Sequence, residues 1–150
     1  MRLLTGVLAA AVLGLVGCAP ALAPIGTAEQ GAPEARYPAV GMTYLHHDSG
    51  HGYQVSYLAE DHVWLWYPGN RAALRGIWGE EQVAGRAYVC FTYPRSSFNP
   101  VTQGLGGQKQ CQPQELLQAH VVGVALGDVF DLSSGAVPHV LERDRRPAGI

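Results

Sequence analysis

From about residue 42 onward the apolar positions recur every second residue, not every third or fourth. In Gly52 to Leu58, Tyr53, Val55 and Tyr57 alternate with Gln54 and Ser56. In Arg86 to Tyr93, Ala87, Val89, Phe91 and Tyr93 alternate with Arg86, Tyr88, Cys90 and Thr92. A period of two sends successive side chains to opposite faces of a half-buried strand. Turn-forming residues fall between the runs at Asp48-Ser49-Gly50, Ala59-Glu60-Asp61, Pro68-Gly69-Asn70, residues 79–85 and Ser133-Ser134-Gly135. In the first half they stand about 8 to 12 residues apart, the spacing of an antiparallel meander. The pattern predicts strands near 42–47, 52–58, 62–67, 72–78, 86–93, 120–125, 128–132 and 137–141. Only Pro113 to His120, with a proline suited to a first helical turn, predicts a short helix. The fold expected is all-β: a small antiparallel meander forming a barrel or a two-sheet sandwich, with one short helix.

One strand breaks the half-buried rule. In Asp61 to Asn70, alternation places Val63, Leu65 and Tyr67 on one face and Trp64 and Trp66 on the other, and both sets are apolar. A barrel wall has one core side. Either another element covers the second face, with the 113–119 helix, the 94–110 loop or a second sheet as candidates, or the two tryptophans form an open contact patch. Trp64 and Trp66 are therefore the candidate binding residues, at least one of them expected partly open. Trp78, on a cleaner strand with Leu74 and Gly76, is expected in the core.

The ends differ in composition. After Met1 and Arg2 comes an apolar run from Leu3 to Val16, shorter than the roughly 20 residues a spanning helix needs, and it has the character of a signal peptide. Residues 19–38 are rich in Ala and Pro and poor in large apolar side chains, which predicts a tether that cannot bury enough surface to order itself. Residues 142–150 are charged and broken by Pro147, and predict a solvated tail. The organisation expected is thus a signal segment at 1–17, a tether at 18–38, a β-domain at 39–141 and a charged tail at 142–150. A net charge of −2 and a single lysine, Lys109, among ten basic residues leave no basic stripe, which argues against nucleic acid as a partner.

The apolar run closes on Leu15-Val16-Gly17-Cys18, which resembles the lipobox of bacterial lipoproteins. That resemblance implies that Cys18 carries the lipid and becomes the mature N-terminus, and that Ala19, not being aspartate, favours the periplasmic face of the outer membrane. Acyl chains add about 0.8 kcal/mol per buried methylene and hold such a chain to the membrane without a spanning helix. With Cys18 so used, Cys90 and Cys111 remain as an even pair in an exported chain, which predicts one disulfide. Gly76-Ile77-Trp78, Tyr88-Val89-Cys90-Phe91-Thr92-Tyr93, Cys111 and Gly127-Asp128-Val129-Phe130 with Gly135 resemble small exported β-domains of alphaproteobacteria. Gln112 stands where that group often has an aromatic, and the stretch from Pro94 to Gln110 is long. The likeness implies a fold and an envelope location, not a reaction.

Candidate chemistry is concentrated at His46-His47-Asp48-Ser49-Gly50-His51. Across a tight turn His47 and His51 could approach one ion, with Asp48 as a third ligand and His62 as an outlying candidate, whereas His46 and His47 as strand neighbours point apart. The plainer alternative is a polar hairpin with exposed imidazoles, and it is the one adopted. No G-x-S-x-G, H-E-x-x-H or C-x-x-C motif occurs in the sequence. Gly104 to Lys109 lacks the strand-loop-helix frame of a phosphate site. Asp128 and Asp131, and Glu80 and Glu81, suit turns and solvated positions. No cofactor is expected. The function expected is that of a lipid-anchored envelope domain, without enzymatic activity, that binds, inhibits or scaffolds through an aromatic surface contacting a protein or a peptidoglycan glycan; a metal-binding protein using the histidine cluster is the alternative.

Overall fold

A computed structural model describes residues 36–150. The expected signal segment, Cys18 and the expected tether up to residue 35 lie outside the described residues. Among the described residues nine strands form: β1 (Met42–Asp48), β2 (Gly52–Leu58), β3 (His62–Trp66), β4 (Leu74–Val83), β5 (Arg86–Thr92), β6 (Phe98–Asn99), β7 (Gly104–Leu105), β8 (Gln110–Pro113) and β9 (Val121–Leu126). A helix, α1 (Gln114–Ala119), separates β8 from β9. Seven strands make one sheet in the order β8-β5-β4-β3-β2-β1-β9, every pairing antiparallel. β6 and β7 pair only with each other, as a small hairpin.

Connectivity forces the sheet to curl. In a flat sheet of seven strands the two edges, β8 and β9, would lie about 29 Å apart at 4.8 Å per neighbour. Yet the link between them is α1, a helix of six residues, about 9 Å long. The sheet therefore bends into an antiparallel half-barrel whose edges the helix bridges. The architecture is all-β, a half-barrel rather than a sandwich.

Alternation then gives the half-barrel two buried faces. Inside, Met42, Tyr44, Leu58, Val63 and Val89 pack with Tyr37, flanked by Trp78, Phe91, Tyr93, Leu117 and Val124. Outside, Leu45, Val55 and Trp66 pack with Leu132 and Leu141, flanked by Tyr53, Tyr57, Trp64, Phe130, Val137 and Ile150. The cover over the tryptophan strand is thus the C-terminal segment, not the helix, the 94–110 loop or a second sheet.

That segment corrects two expected strands. Residues 128–132 and 137–141 form no ladder. Asp128 accepts the backbone N–H groups of Leu132 and Ser133 (2.8 and 2.7 Å), Asp131 and Gly135 take positive φ, and a single 3-10 turn spans Leu132–Ser134. Backbone donors captured in turns are unavailable to a strand partner. The charged end is not a solvated tail either. Leu141 and Pro147 are buried and Ile150 packs against the outer cluster. The Arg143 carbonyl accepts the Tyr53 N–H (2.8 Å), Arg143 reaches back to Ser49 and Gly50, and Arg146 donates to the Val122 carbonyl (3.1 Å). Gly52 makes this contact possible, because a Cβ there would collide with the Arg143 carbonyl.

The remaining differences are local. Residues 79–83, expected as a turn, continue β4; the turn is Ala84-Gly85 alone, with φ of 50° and 78°, a two-residue hairpin loop whose twist suits the strands. The 94–110 stretch holds the β6–β7 hairpin. At the other end Tyr37, placed in the tether by its composition, is buried: its N–H goes to Gln118 and its carbonyl to Gln114. Cys90 and Cys111 are disulfide-bonded, facing each other across β5 and β8 with Cα atoms 4.0 Å apart.

Candidate binding surface

Strand alternation decides the histidine cluster. His46 points inward, edge-on to the Tyr37 ring (centroids 5.2 Å apart) and 3.2 Å from the Ser56 hydroxyl. Desolvation, aided by the nearby His120 and outweighing the Asp48 carboxylate, pulls its pKa down to about 4, so it is neutral. His47 points the other way and packs on the Tyr53 ring (4.5 Å), exposed. Asp48 turns back into the loop, accepting the N–H groups of Gly50 and His51 (both 2.8 Å) and meeting His51 Nδ1 at 3.0 Å. Burial raises the Asp48 pKa, but the His51 N–H, the His51 ring and the Gly50 N–H together outweigh it and hold the carboxyl below its ordinary value. The Asn99 amide stands 3.5 Å from His51 Nε2. Asp48 and His51 thus come together as a turn lock, and His47 does not join them. His62 is elsewhere, bonded to Asp61 and 2.7 Å from Arg75 Nη2. Among the described residues, three ligand atoms converge only at Glu81, Cys90 and Cys111, two of which are bonded to each other.

The two candidate tryptophans separate. Trp66 is 0 % exposed, the largest fully buried side chain, with its indole N–H on the His139 carbonyl (3.1 Å) and the Phe130 and His139 rings edge-on at 5.4 and 4.9 Å. It belongs to the outer core and is not a surface residue. Trp64 is half-buried. It sits in a row that the ladder sets across three strands, Tyr57 opposite Trp64 and Trp64 opposite Arg75. The Tyr57 ring stacks on the indole (5.8 Å, 28° between planes), the Arg75 guanidinium lies 5.9 Å over it, and the His62 ring is 5.9 Å away. Trp78 faces inward, packed against the core with its N–H on the Ala59 carbonyl (2.7 Å).

Beyond this row the outer face is open. Register puts Ile77, Gly79, Glu81 and Val83 of β4 and Tyr88 and Cys90 of β5 on the same face as Trp64. Ile77 is 52 % exposed and Val83 54 %. Arg86 lies over the Tyr88 ring (5.8 Å) and bonds Glu115. Tyr57, Arg75, Ile77 and Tyr88 were not singled out from the sequence, although the alternation that fixed Trp64 also fixes them once β3 is paired with β2 and β4. Elsewhere an open cleft of about 520 Å³, lined by Tyr67, Leu74, Phe98 and Pro100 among others, lies between the β3–β4 loop and the β6–β7 hairpin.

Compared with known proteins, the chain matches no family model, no curated protein and no solved structure, so nothing in those comparisons assigns it an enzyme family or fold.

Proposed function

We propose that this chain is a lipid-anchored cell-envelope protein, held through Cys18 at the periplasmic face of the outer membrane, whose β-domain acts without catalysis by binding a protein partner on the outer face around Trp64. The observation that carries the binding role is the cross-strand row Tyr57, Trp64, Arg75 continued by the exposed Ile77 and Val83. An aromatic and an arginine at the centre, flanked by β-branched side chains, is the composition of a protein-contact patch. A peptidoglycan glycan suits the patch less well. Sugar stacking needs a free ring face, and Tyr57, His62 and Arg75 already lie within 6 Å of the indole. The anchor and compartment rest on the apolar run ending at Leu15-Val16-Gly17-Cys18 and agree with the Cys90–Cys111 disulfide. Such a role is inhibitory or scaffolding. Site-specific photocrosslinking in the cell tests it: a photoreactive residue at position 77 is expected to give a discrete protein adduct that Trp64→Ala weakens, while one at Glu142 gives none. Equal labelling at both positions, or adducts only with glycan, defeats the proposal.

A further inference from the structure

The open outer face also carries the disulfide. Cys111 is exposed on β8, one of the two edge strands of the sheet, while Cys90 beside it on β5 is buried. On the same face Glu81 brings a carboxylate oxygen within 4.8 Å of both sulfurs. Gly79 is the cross-strand partner of Cys90, and nothing lies within 4 Å of the position a Cβ would take there, so space remains beside the sulfurs. Lys109 bonds Glu81 through Oε1, one of its two carboxylate oxygens.

We propose that reduction of the Cys90–Cys111 bridge creates a zinc site, with the two thiolates and the Glu81 carboxylate as ligands and a water over Gly79 completing a tetrahedron. A dithiol reductant supplies two electrons and two protons: its own S–S bond forms as the Cys90–Cys111 bond breaks, leaving two thiols. Zinc then displaces both thiol protons and makes two Zn–S bonds. The geometry survives the loss of the covalent link because ladder partners on both sides, Val89 with Gln112 and Phe91 with Gln110, keep the two side chains opposite each other. Tetrahedral zinc with bonds of about 2.3 Å needs sulfurs about 3.8 Å apart, within reach of side chains on directly facing residues. Two thiolates with a carboxylate suit zinc. Magnesium and calcium avoid thiolates, and copper(I) has no use for the carboxylate. In the oxidised protein neither sulfur is a thiolate, so the site exists only after reduction.

The test uses the full chain carrying Cys18→Ser, oxidised or reduced anaerobically with a phosphine, and titrated with Co(II) and then Zn(II). The reduced protein is expected to bind one Co(II) with a thiolate-to-metal absorption band in the near ultraviolet that zinc bleaches, and the oxidised protein to show no band. Glu81→Gln, which keeps the disulfide, should weaken zinc about tenfold or more in the reduced form. A reduced protein that keeps its β-type circular dichroism but gives no band overturns the proposal, as does Glu81→Gln binding zinc as tightly as the parent. Should reduction unfold the sheet, zinc must restore the β signal; failure to restore it is equally fatal.

Discussion

Trp66→Ala tests whether the C-terminal segment is part of the folded core. The side chain is wholly buried between β3 and that segment, with Leu45, Val55, Leu132 and Leu141 as the core around it and its N–H on the His139 carbonyl. A tryptophan buries about 200 Å², worth about 5 kcal/mol at 25 cal/mol per Å². The residual compactness of the unfolded chain trims that to about 3 to 4 kcal/mol. The lost hydrogen bond adds about 1 kcal/mol. The total, about 4 to 5 kcal/mol, matches large core truncations and is a major fraction of the 5 to 15 kcal/mol typical of a whole domain.

Urea denaturation followed by far-ultraviolet circular dichroism, with the slope compared between variants, measures it. Trp66→Phe should cost less, about 1 to 2 kcal/mol, because the ring volume is largely kept while the His139 carbonyl loses its donor. Trp64→Ala, at a half-buried position, should also cost about 1 to 2 kcal/mol. If Trp66→Ala costs under about 1 kcal/mol, or no more than Trp64→Ala, the outer core as described is wrong.

Four further outcomes follow from other parts of the chain. His46 has its pKa lowered to about 4, so the unfolded chain takes up a proton near pH 6.5 that the folded one refuses; stability is full above pH 6.5 and falls by about 3 kcal/mol on descending to pH 4, a slope that His46→Gln should flatten in urea melts at stepped pH. His47→Ala should leave stability within about 0.5 kcal/mol, whereas His51→Ala, which loses Asp48 and Asn99, should cost about 1 kcal/mol; equal costs by melting would contradict the separation of the two rings. Val83→Asp should change stability by less than about 0.5 kcal/mol while abolishing the adduct formed from position 77, and a large stability loss would mean that this face is covered. Metabolic labelling with an acyl probe should mark the wild-type chain and not Cys18→Ser; a label that persists in the variant refutes the lipid site.

Strand alternation was legible where each strand carried its own contrast. Tyr53, Val55 and Tyr57 against Gln54 and Ser56, and Val89, Phe91 and Tyr93 against Tyr88, Cys90 and Thr92, fall on the faces their spacing requires. The ambiguity of Val63 to Trp66 was also real, since both faces of β3 are buried. What covers the second face was not legible. Phe130, Leu132, Val137 and Leu141 have the spacing of two short strands, and only the capture of backbone donors by Asp128, a side chain acting on its local main chain, makes them an irregular cover. Tyr37 was obscured by the Ala and Pro around it, because composition averages over the one residue that the helix and β1 enclose. The alternative of a metal site at His47, Asp48 and His51 is not assembled for a simpler reason: His47 lies within β1 and obeys its alternation, so it faces away from the turn that joins Asp48 to His51.

The outer face is divided, and the division bears on where the proposed partner would sit. Over β1, β2 and the end of β3 the C-terminal segment supplies the apolar cover, and it is fixed there by Arg143 on the β1–β2 turn and Arg146 on β9. Past Trp64 that cover ends, and the outward positions of β4 and β5 become Arg75, Gly79, Glu81 and Arg86, residues that water solvates without cost. Ile77 and Val83 break that polar pattern. Exposed β-branched side chains favour the strand conformation wherever they stand, and isolated ones carry no meaning. These two lie on the same strand as Arg75, whose guanidinium is over Trp64, and on the face from which the chain's own cover has been withdrawn. The boundary between covered and uncovered sheet thus runs through the Tyr57–Trp64 stack. A partner seated there would continue the layer that the C-terminal segment begins.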